Sequence, residues 1–244
     1  MIKINLELAA KDAIKAVQRN DVIIVIDVLR CTSTITAALA NGARCVIPVR
    51  TIKEARDIHH RNPKTILAGE RKGIKPKGFH LGNSPLDFNP TIVKGKNIIL
   101  TTTNGTKTLT ETKRGKFVFI GSFLNVTAVS DIALSFAKKE NCGLSLVLSG
   151  TQGRFSLEDY LCAGSILEHF TLHQIDVADA AVGSLLAFKQ AHDSLINVIF
   201  QGHHAKYLKS IGLEDDVTFC CKQNLYKVIP CLNENKITLF TKKS

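Results

Sequence analysis

The side chains best suited to bind a cation and an anion together lie directly after the apolar run 22–26. Asp27 supplies a carboxylate, and Arg30 follows three residues later. Thr32 and Ser33 then open an alanine-rich segment, where a helix start would offer unpaired N–H groups and a partial positive charge. The pattern predicts a buried strand, a sharp turn and a helix, with a cation at Asp27 and an anion at the helix start. A buried strand followed by an ordinary capped helix is the alternative interpretation of the same residues.

The succession of strand, small polar turn and helix recurs along much of the chain. Polar or charged residues collect at five of these junctions: Asp27/Arg30/Thr32, Glu70/Arg71, Thr103/Asn104/Gly105, Ser122/Asn125 and Thr151/Glu158. If the strands are parallel, right-handed crossovers bring their carboxyl ends to one edge of the sheet. We therefore expect one polar site, built from several turns, at that edge.

These elements predict an α/β fold. We expect a three-layer α/β/α arrangement around a largely parallel or mixed sheet, with a helical C-terminal elaboration. A single domain should span residues 1–244, and the stretch 176–244 should be its more helical part. Within that stretch, the apolar segment 217–221 is expected to be a strand. Residues 72–90 contain several glycines and prolines and indicate an irregular loop, of a length that is usually functional or disordered.

Composition narrows the class of protein. The 244 residues carry 32 Lys and Arg against 21 Asp and Glu, a net charge of +11. The lysines are scattered, and three Tyr and no Trp offer little for base stacking, so we expect no nucleic-acid partner. No apolar run approaches the roughly 20 residues of a membrane span, which predicts a soluble cytoplasmic protein. Seven cysteines without a C-x-x-C pair predict neither a disulfide framework nor a zinc ribbon.

Familiar phosphate-binding motifs are absent from the sequence. There is no G-x-x-x-x-G-K-[ST] loop and no G-x-G-x-x-G after a strand, and Leu29 replaces the second acid of the Asp-x-Asp pattern of aspartyl-phosphate phosphatases. Asp27, Glu70 and Glu158 remain as hard oxygen ligands, which suit Mg²⁺ better than zinc. Asp159 is a further candidate, although its spacing is also typical of a capping box at the start of its helix.

Three other features have a plain structural interpretation. His203 and His204 are adjacent, so they point apart on a helix, which favours a solvated face over a metal site. Asp215 and Asp216 lie in what the sequence predicts to be a surface turn. Cys31 stands beside a helix start, where a thiolate would be stabilised, but no histidine is near it in sequence to act as its base.

Five blocks of sequence, taken together and in order, resemble the 2-phosphosulfolactate phosphatases. The blocks are 25–41 (VIDVLRCTSTITAALAN), 69–71 with 78–85 (GER and GFHLGNSP), 102–106 (TTNGT), 121–125 (GSFLN) and 150–164 (GTQGRFSLEDYLCAG). Weaker likeness continues to Pro230, so the resemblance covers nearly the whole chain. Cys31 stands where this family is expected to have alanine, which argues further against a catalytic thiol.

The resemblance implies a Mg²⁺-dependent phosphatase that hydrolyses (R)-2-phospho-3-sulfolactate to 3-sulfolactate and phosphate, a step toward coenzyme M in methanogens. Such a substrate carries phosphate, carboxylate and sulfonate, and it needs several anion-binding contacts. The catalytic residues expected are Asp27, Arg30, Glu70 and Arg71. The metal ligands expected are Asp27, Glu70 and Glu158. Substrate or phosphate contacts are expected from Thr32, Ser33, Asn83, Ser84, Asn104, Gly105, Thr106, Asn125 and Arg154.

Two alternatives remain open at this stage. One is a phosphatase for another small acidic phosphoester, and the other is a non-catalytic protein that binds anions or nucleic acid through its positive charge. The sequence also leaves open whether Asp27 binds the metal or attacks phosphorus. Attack by metal-activated water is favoured because the Asp-x-Asp pattern is missing. A homodimer is a further expectation for the assembly.

Overall fold

The computed structural model describes residues 2–170 and 175–241, whose strands form one ten-stranded sheet. The strands are β1 (Ile2–Glu7), β2 (Val22–Ile26), β3 (Cys45–Pro48), β4 (Ile66–Gly69), β5 (Asn97–Thr101), β6 (Phe117–Gly121), β7 (Leu144–Leu148), β8 (Ile175–Val177), β9 (Pro230–Asn233) and β10 (Lys236–Leu239). The helices are α1 (Ala13–Gln18), α2 (Cys31–Ala40), α3 (Ile52–Arg61), α4 (Pro90–Val93), α5 (Gly105–Thr112), α6 (Val126–Glu140), α7 (Leu157–Glu168), α8 (Asp179–Ala191), α9 (Leu195–Ile199), α10 (His203–Ser210) and α11 (Glu214–Cys220).

The central strand β2 is apolar throughout because both faces of the sheet are covered. Its alternate residues belong to two different cores: Val22, Ile24 and Ile26 face one, and Ile23 and Val25 face the other. Helices α6 and α7 contact β2 on the first side, and α1 and α5 contact it on the second. The predicted layering of helices, sheet and helices is therefore confirmed, as is the alternation of strands and helices that builds it.

The sheet is mixed, and its order is β4-β5-β3-β10-β9-β6-β2-β7-β1-β8. The strands β4, β5 and β3 form one parallel group, and β6, β2, β7, β1 and β8 form a second. The hairpin of β9 and β10 lies between the groups and pairs antiparallel with β6 on one side and β3 on the other. The two parallel groups consequently run in opposite directions, so the sheet is the mixed one of the two arrangements expected, and its strands are not all parallel, although the expectation of a single polar edge assumed parallel strands.

The C-terminal region is partly as expected. Helices α8 to α11 supply the predicted helical elaboration, but the expected strand at 217–221 is wrong, because Val217 to Cys220 lie in α11. Val217 and Cys220 are buried three residues apart, on one side of that helix. The hairpin of β9 and β10 was not predicted from the basic tail, although it lies inside the sheet. None of the helices in the described ranges is long and apolar enough to cross a membrane.

Candidate active site

The turns that follow β2, β4, β5 and β7 meet at a cavity of about 210 Å³, which α10 closes from another side. Four of the five predicted polar junctions thus come together, and the junction after β6 does not reach the cavity. The lining residues are Asp27, Leu29, Arg30, Cys31, Glu70, Lys72, Gly73, Asn83, Thr102, Thr103, Asn104, Thr151, Gln152, His203, His204 and Tyr207.

Asp27 is held at the cavity wall by the turn between β2 and α2. Its Oδ1 accepts a hydrogen bond from the Cys31 N–H at 3.1 Å, and the Thr32 hydroxyl bonds both to its carbonyl, at 2.8 Å, and to its N–H, at 3.1 Å. Gly105 packs against the same carboxylate, and a Cβ at that position would lie 2.6 Å from Asp27 Oδ2. The sequence therefore needs glycine there, because any side chain would overlap both the Asp27 carboxylate and the Cys31 side chain.

Glu70 links two of the loops around the cavity. Its Oε1 accepts from the Thr103 N–H at 2.6 Å, and its Oε2 accepts from the Gly73 N–H at 2.7 Å and from the Thr103 hydroxyl at 3.1 Å. Glu70 is 7% exposed and lines the same cavity as Asp27. Glu70 thus fixes the turns after β4 and β5 relative to each other.

Asp27 belongs to a group of buried carboxyl groups in which Asp159 raises the pKa of both Asp27 and Glu158. Burial and then the neighbouring Asp159 raise the pKa of Asp27 well above its usual value. Burial raises the pKa of Asp159 to about 6, and burial together with Asp159 raises the pKa of Glu158 to about 8. Ionising these carboxyl groups together is therefore unfavourable without a partner, and a bound cation would offset that cost.

Asp159 does not serve as the predicted partner in a capping box, because no side-chain bond caps the start of α7. Its carboxylate instead accepts from the N–H of Val28 at 2.8 Å and from the N–H of Gly150 at 3.1 Å. It joins the turns after β2 and β7. Glu158 is 2% exposed but does not line the cavity, so the structure does not gather the three expected metal ligands there.

Arg30 lines the cavity and is buried, with a guanidinium held at two of its nitrogens. Nη1 donates to Asp216 Oδ2 at 2.6 Å, and Nη2 donates to the Gly73 carbonyl at 2.8 Å. The other oxygen of Asp216 accepts from the Ser84 hydroxyl at 2.5 Å. Asp216 is therefore a buried counter-charge and not the surface-turn residue that the sequence suggested.

Several of the site residues predicted from the sequence do not line the cavity, and some of these have polar groups that are already hydrogen-bonded to the backbone. Arg71 donates to the carbonyls of Glu70 and Arg50, and Asn125 closes its own turn by bonding the Ser122 N–H and the Ile120 carbonyl. The candidates that do line it are Asp27, Arg30, Glu70, Asn83 and Asn104. Those that do not are Arg71, Thr32, Ser33, Ser84, Gly105, Thr106, Asn125, Arg154 and Glu158.

Helix α10 contributes cavity residues that sequence reasoning placed on a solvated face. His204 is largely buried, its Nε2 lies 2.9 Å from the Leu29 carbonyl, and burial lowers its pKa. Tyr207, one turn further on, donates its hydroxyl to the Lys72 carbonyl at 2.9 Å. One signal in the sequence could have identified this side of the cavity: His204 and Tyr207 are three residues apart, a spacing that makes them neighbours on a helix. The adjacent His203 obscured this signal. Cys31 also faces the cavity, and burial and then Asp27 raise the pKa of its thiol.

The donor set suits a hard cation. Mg²⁺ in proteins is commonly held by one or two carboxylates, with substrate oxygens and waters completing the octahedron. Asp27 and Glu70 supply two carboxylates at the cavity, and Asn83 Oδ1 is a buried acceptor with no hydrogen-bond partner within 2–170 and 175–241. Those same ranges contain no group of three or more His, Cys, Asp or Glu that could bind a metal alone. The site thus fits Mg²⁺ held jointly with a phosphorylated ligand.

Comparison with known proteins agrees with this chemistry. A family model described as 2-phosphosulpholactate phosphatase matches residues 8–235. A probable 2-phosphosulfolactate phosphatase of Thermotoga maritima is 44% identical over 209 residues, which are 86% of this chain and 88% of the relative. Proteins with the same description in Clostridium kluyveri and Clostridium acetobutylicum are 36% and 35% identical, and the alignments cover 94% and 97% of this chain and 94% and 100% of the relatives.

The fold, the carboxylate-lined cavity and these matches define a phosphoric monoester hydrolase. The chain belongs to the 2-phosphosulpholactate phosphatase family.

Proposed function

We propose that the protein is a Mg²⁺-dependent phosphatase that hydrolyses (R)-2-phospho-3-sulfolactate to 3-sulfolactate and phosphate. Family membership supports the substrate. The observation that supports this chemistry is that Asp27, Glu70 and Arg30 line one cavity. Asp27 and Arg30 follow β2, whereas Glu70 follows β4, and these two strands are far apart in the sheet. Carboxylates for a cation and a guanidinium for an oxyanion are the parts that phosphoryl transfer requires.

The charges of the cavity favour dependence on a cation. Asp27 and Glu70 are acidic, and the charge of Arg30 is already balanced by Asp216. When Asp27 and Glu70 are both ionised, they would repel a phosphate dianion by more than the single charge of Lys72 at the same cavity could offset. Asp27 and Glu70 would hold Mg²⁺, with the Asn83 carbonyl oxygen as a further ligand. Bound there, the ion would neutralise phosphoryl charge and lower the barrier to attack at phosphorus.

The side chains of the cavity have separate proposed roles. The guanidinium of Arg30 has five N–H donors, and two of them are bonded to Asp216 and Gly73. The other three would be available to phosphate oxygens. The amide of Asn104, which lies in the turn after β5, would bind a further phosphate oxygen. Glu70 keeps that turn in place through the N–H of Thr103. Because Asp27 lacks a second acid two residues on, we propose that water and not Asp27 attacks phosphorus.

The test measures phosphate release from phosphosulfolactate, phospholactate and phosphoglycerate, with Mg²⁺ or with EDTA. We expect turnover that EDTA abolishes and Mg²⁺ restores, with phosphosulfolactate the best substrate. Faster turnover of another ester would assign a different small acidic substrate. No release from any ester with Mg²⁺ present would contradict the enzyme proposal and favour an anion-binding protein. A covalent phosphate trapped on Asp27 would contradict the role given to water.

A matched pair of variants separates chemistry from folding. Asp27→Asn should reduce kcat by more than about 100-fold, a size typical for the loss of one electrostatic group at a reaction centre. Asp21→Asn is the control, because Asp21 is equally buried and precedes β2 at its opposite end, bonded to Arg19 and Ser145. It should lower stability and leave kcat within about two-fold, since it is remote from the cavity.

Three finer expectations belong to this proposal as well. The reaction would take place in the cytoplasm and would belong to coenzyme M biosynthesis. The protein would be a homodimer and would bind no nucleic acid. Sedimentation or light scattering of the purified protein tests the assembly.

A further inference from the structure

Two tight turns of matching geometry stand at the cavity, one after β4 and one after β7. In the first, Arg71 and Ile74 exchange backbone hydrogen bonds of 2.9 and 3.1 Å around Lys72 and Gly73. In the second, residues 151 and 154 exchange bonds of 2.9 and 3.0 Å around residues 152 and 153. All four central residues have positive φ, which is the pattern of a type I′ turn.

The first central position of each turn carries an unexpected residue type. Type I′ turns favour Gly, Asn or Asp at both central positions, because a side chain with a β-carbon is strained at positive φ. Lys72 has φ +50° and Gln152 has φ +54°. Both residues line the same cavity. Strain that recurs at two places around one cavity points to a use for the two side chains, since neither turn needs them for its geometry.

Lys72 also differs from the other cationic group of the cavity wall. Arg30 is buried and paired with Asp216, whereas Lys72 is exposed and makes no ion pair with any carboxylate of the described residues. Its backbone is nevertheless fixed, because its carbonyl accepts from Tyr207 and the N–H of the next residue, Gly73, donates to Glu70. A long, flexible ammonium group on a fixed backbone is a point charge that can reach one anionic group of a ligand without a fixed fork geometry.

We propose that Lys72 and Gln152 determine specificity, with Lys72 binding the anionic group of the substrate that lies away from phosphorus and Gln152 donating a hydrogen bond to the same end. This inference rests on the proposed function, in which the substrate carries a carboxylate and a sulfonate besides the phosphate. The phosphate itself remains with Asp27, Glu70 and Arg30. Gln152 is placed for this by its N–H, which bonds Asn104 Oδ1 at 3.4 Å.

The decisive variant is Lys72→Gly, which removes the ammonium and relaxes the turn. Loss of one charged hydrogen bond predicts a rise of about 10-fold in KM for phosphosulfolactate, with kcat within about two-fold. KM for p-nitrophenyl phosphate, which has no second anion, should stay within about two-fold. Gln152→Gly should raise KM about three-fold, since a neutral hydrogen bond is weaker. Lys72→Arg, which keeps the charge, should retain the wild-type KM within about three-fold.

Stability supplies an independent readout. Lys72→Gly should leave Tm unchanged or raise it by up to about 4 °C, because the left-handed strain is removed. Glu234→Gly is the matched control: Glu234 has φ +54° in the turn between β9 and β10 and does not line the cavity. It should change Tm in the same direction and leave KM unchanged. A purely structural role for Lys72 predicts the same behaviour for both variants, which would overturn the inference.

Binding of 3-sulfolactate, measured by calorimetry, separates this inference from the proposed function. Wild-type protein should bind it at least about 10-fold more tightly than Lys72→Gly. If the wild type releases phosphate from phosphosulfolactate but both proteins bind 3-sulfolactate equally, the role of Lys72 is wrong and the function stands. If no ester is hydrolysed, the function fails, and a weaker affinity of the variant still supports Lys72 as an anion-binding residue. An equal rise in KM for p-nitrophenyl phosphate, or no binding of 3-sulfolactate by the wild type, would overturn the inference.

Discussion

Breaking the ion pair between Arg30 and Asp216 should destabilise the protein more than breaking any exposed pair. The two side chains are each 3% exposed and their charged atoms are 2.6 Å apart. Water cannot replace the lost partner at such burial, so either single variant leaves an uncompensated buried charge. Asp216→Leu or Arg30→Met should therefore lower the free energy of unfolding by about 3–5 kcal/mol.

The double variant should be much less harmful than the sum of the two. With both charges gone, the remaining loss comes from the partners that each charge also bonded, the Ser84 hydroxyl and the Gly73 carbonyl. Leaving these unpaired costs about 1–3 kcal/mol each. We therefore expect a favourable coupling energy of at least about 2 kcal/mol between Arg30 and Asp216 in a double-mutant cycle.

The assay is equilibrium unfolding in urea, with the pair Lys209 and Glu214 as the control. This pair is 2.7 Å apart but 56% and 49% exposed, and Glu214 opens the same helix as Asp216. Its coupling energy should lie between about 0 and 1 kcal/mol. If both cycles give the same small coupling, or if Asp216→Leu costs under about 1 kcal/mol, the reasoning from burial is refuted.

Two further predictions concern the carboxylates. Gly105→Ala should lower kcat by about 100-fold, because the added methyl group would lie 2.6 Å from Asp27 Oδ2 and displace it; Gly82→Ala, where the nearest atom is 3.8 Å away, is the control. In metal-free buffer the unfolding free energy should fall as pH rises from about 4.5 to 8, since the folded-state pKa of Glu158 is about 8 against 4.5 ordinarily. Glu158 contributes a slope of at most about 1.4 kcal/mol per pH unit, and Glu158→Gln should remove that contribution and leave the smaller slope due to Asp27 and Asp159; an unchanged slope in urea titrations would contradict this.

Local patterns were enough to find the carboxylate side of the cavity. Asp27 and Glu70 each follow a strand directly, and Asn104 lies in the short turn between β5 and α5, so the strand-turn-helix pattern already placed them at turns. The same reasoning also predicted ligand contacts for hydroxyl groups that are bonded to the backbone in the structure. Thr32 and Thr106 lie at helix starts as predicted, but their hydroxyls bond backbone groups four or five residues away. Serine and threonine near helix starts commonly make such bonds, and sequence alone cannot separate them from ligand contacts.

The opposite wall could not be found in this way because it depends on contacts between distant parts of the chain. Asp216 is 186 residues from Arg30, and His204 is 175 residues from Leu29. Adjacent histidines and a pair of acids after a glycine are typical of solvated surfaces, and nothing local distinguishes the exceptions. Such side chains become interpretable only when the packing of α10 and α11 is known.

The unpredicted hairpin of β9 and β10 explains how turns from oppositely directed strands reach one cavity. From β2 to β4 the sheet order has six steps, and a twist of about 20–25° per step accumulates to roughly 120–150°. Strands that would be antiparallel in a flat sheet then differ in direction by only about 30–60°, so their carboxyl ends point toward a common region. Without the hairpin, four steps would give roughly 80–100° of twist, and the turns holding Asp27 and Glu70 would diverge. The C-terminal residues thus set the geometry of a site whose carboxylates come from the first third of the chain.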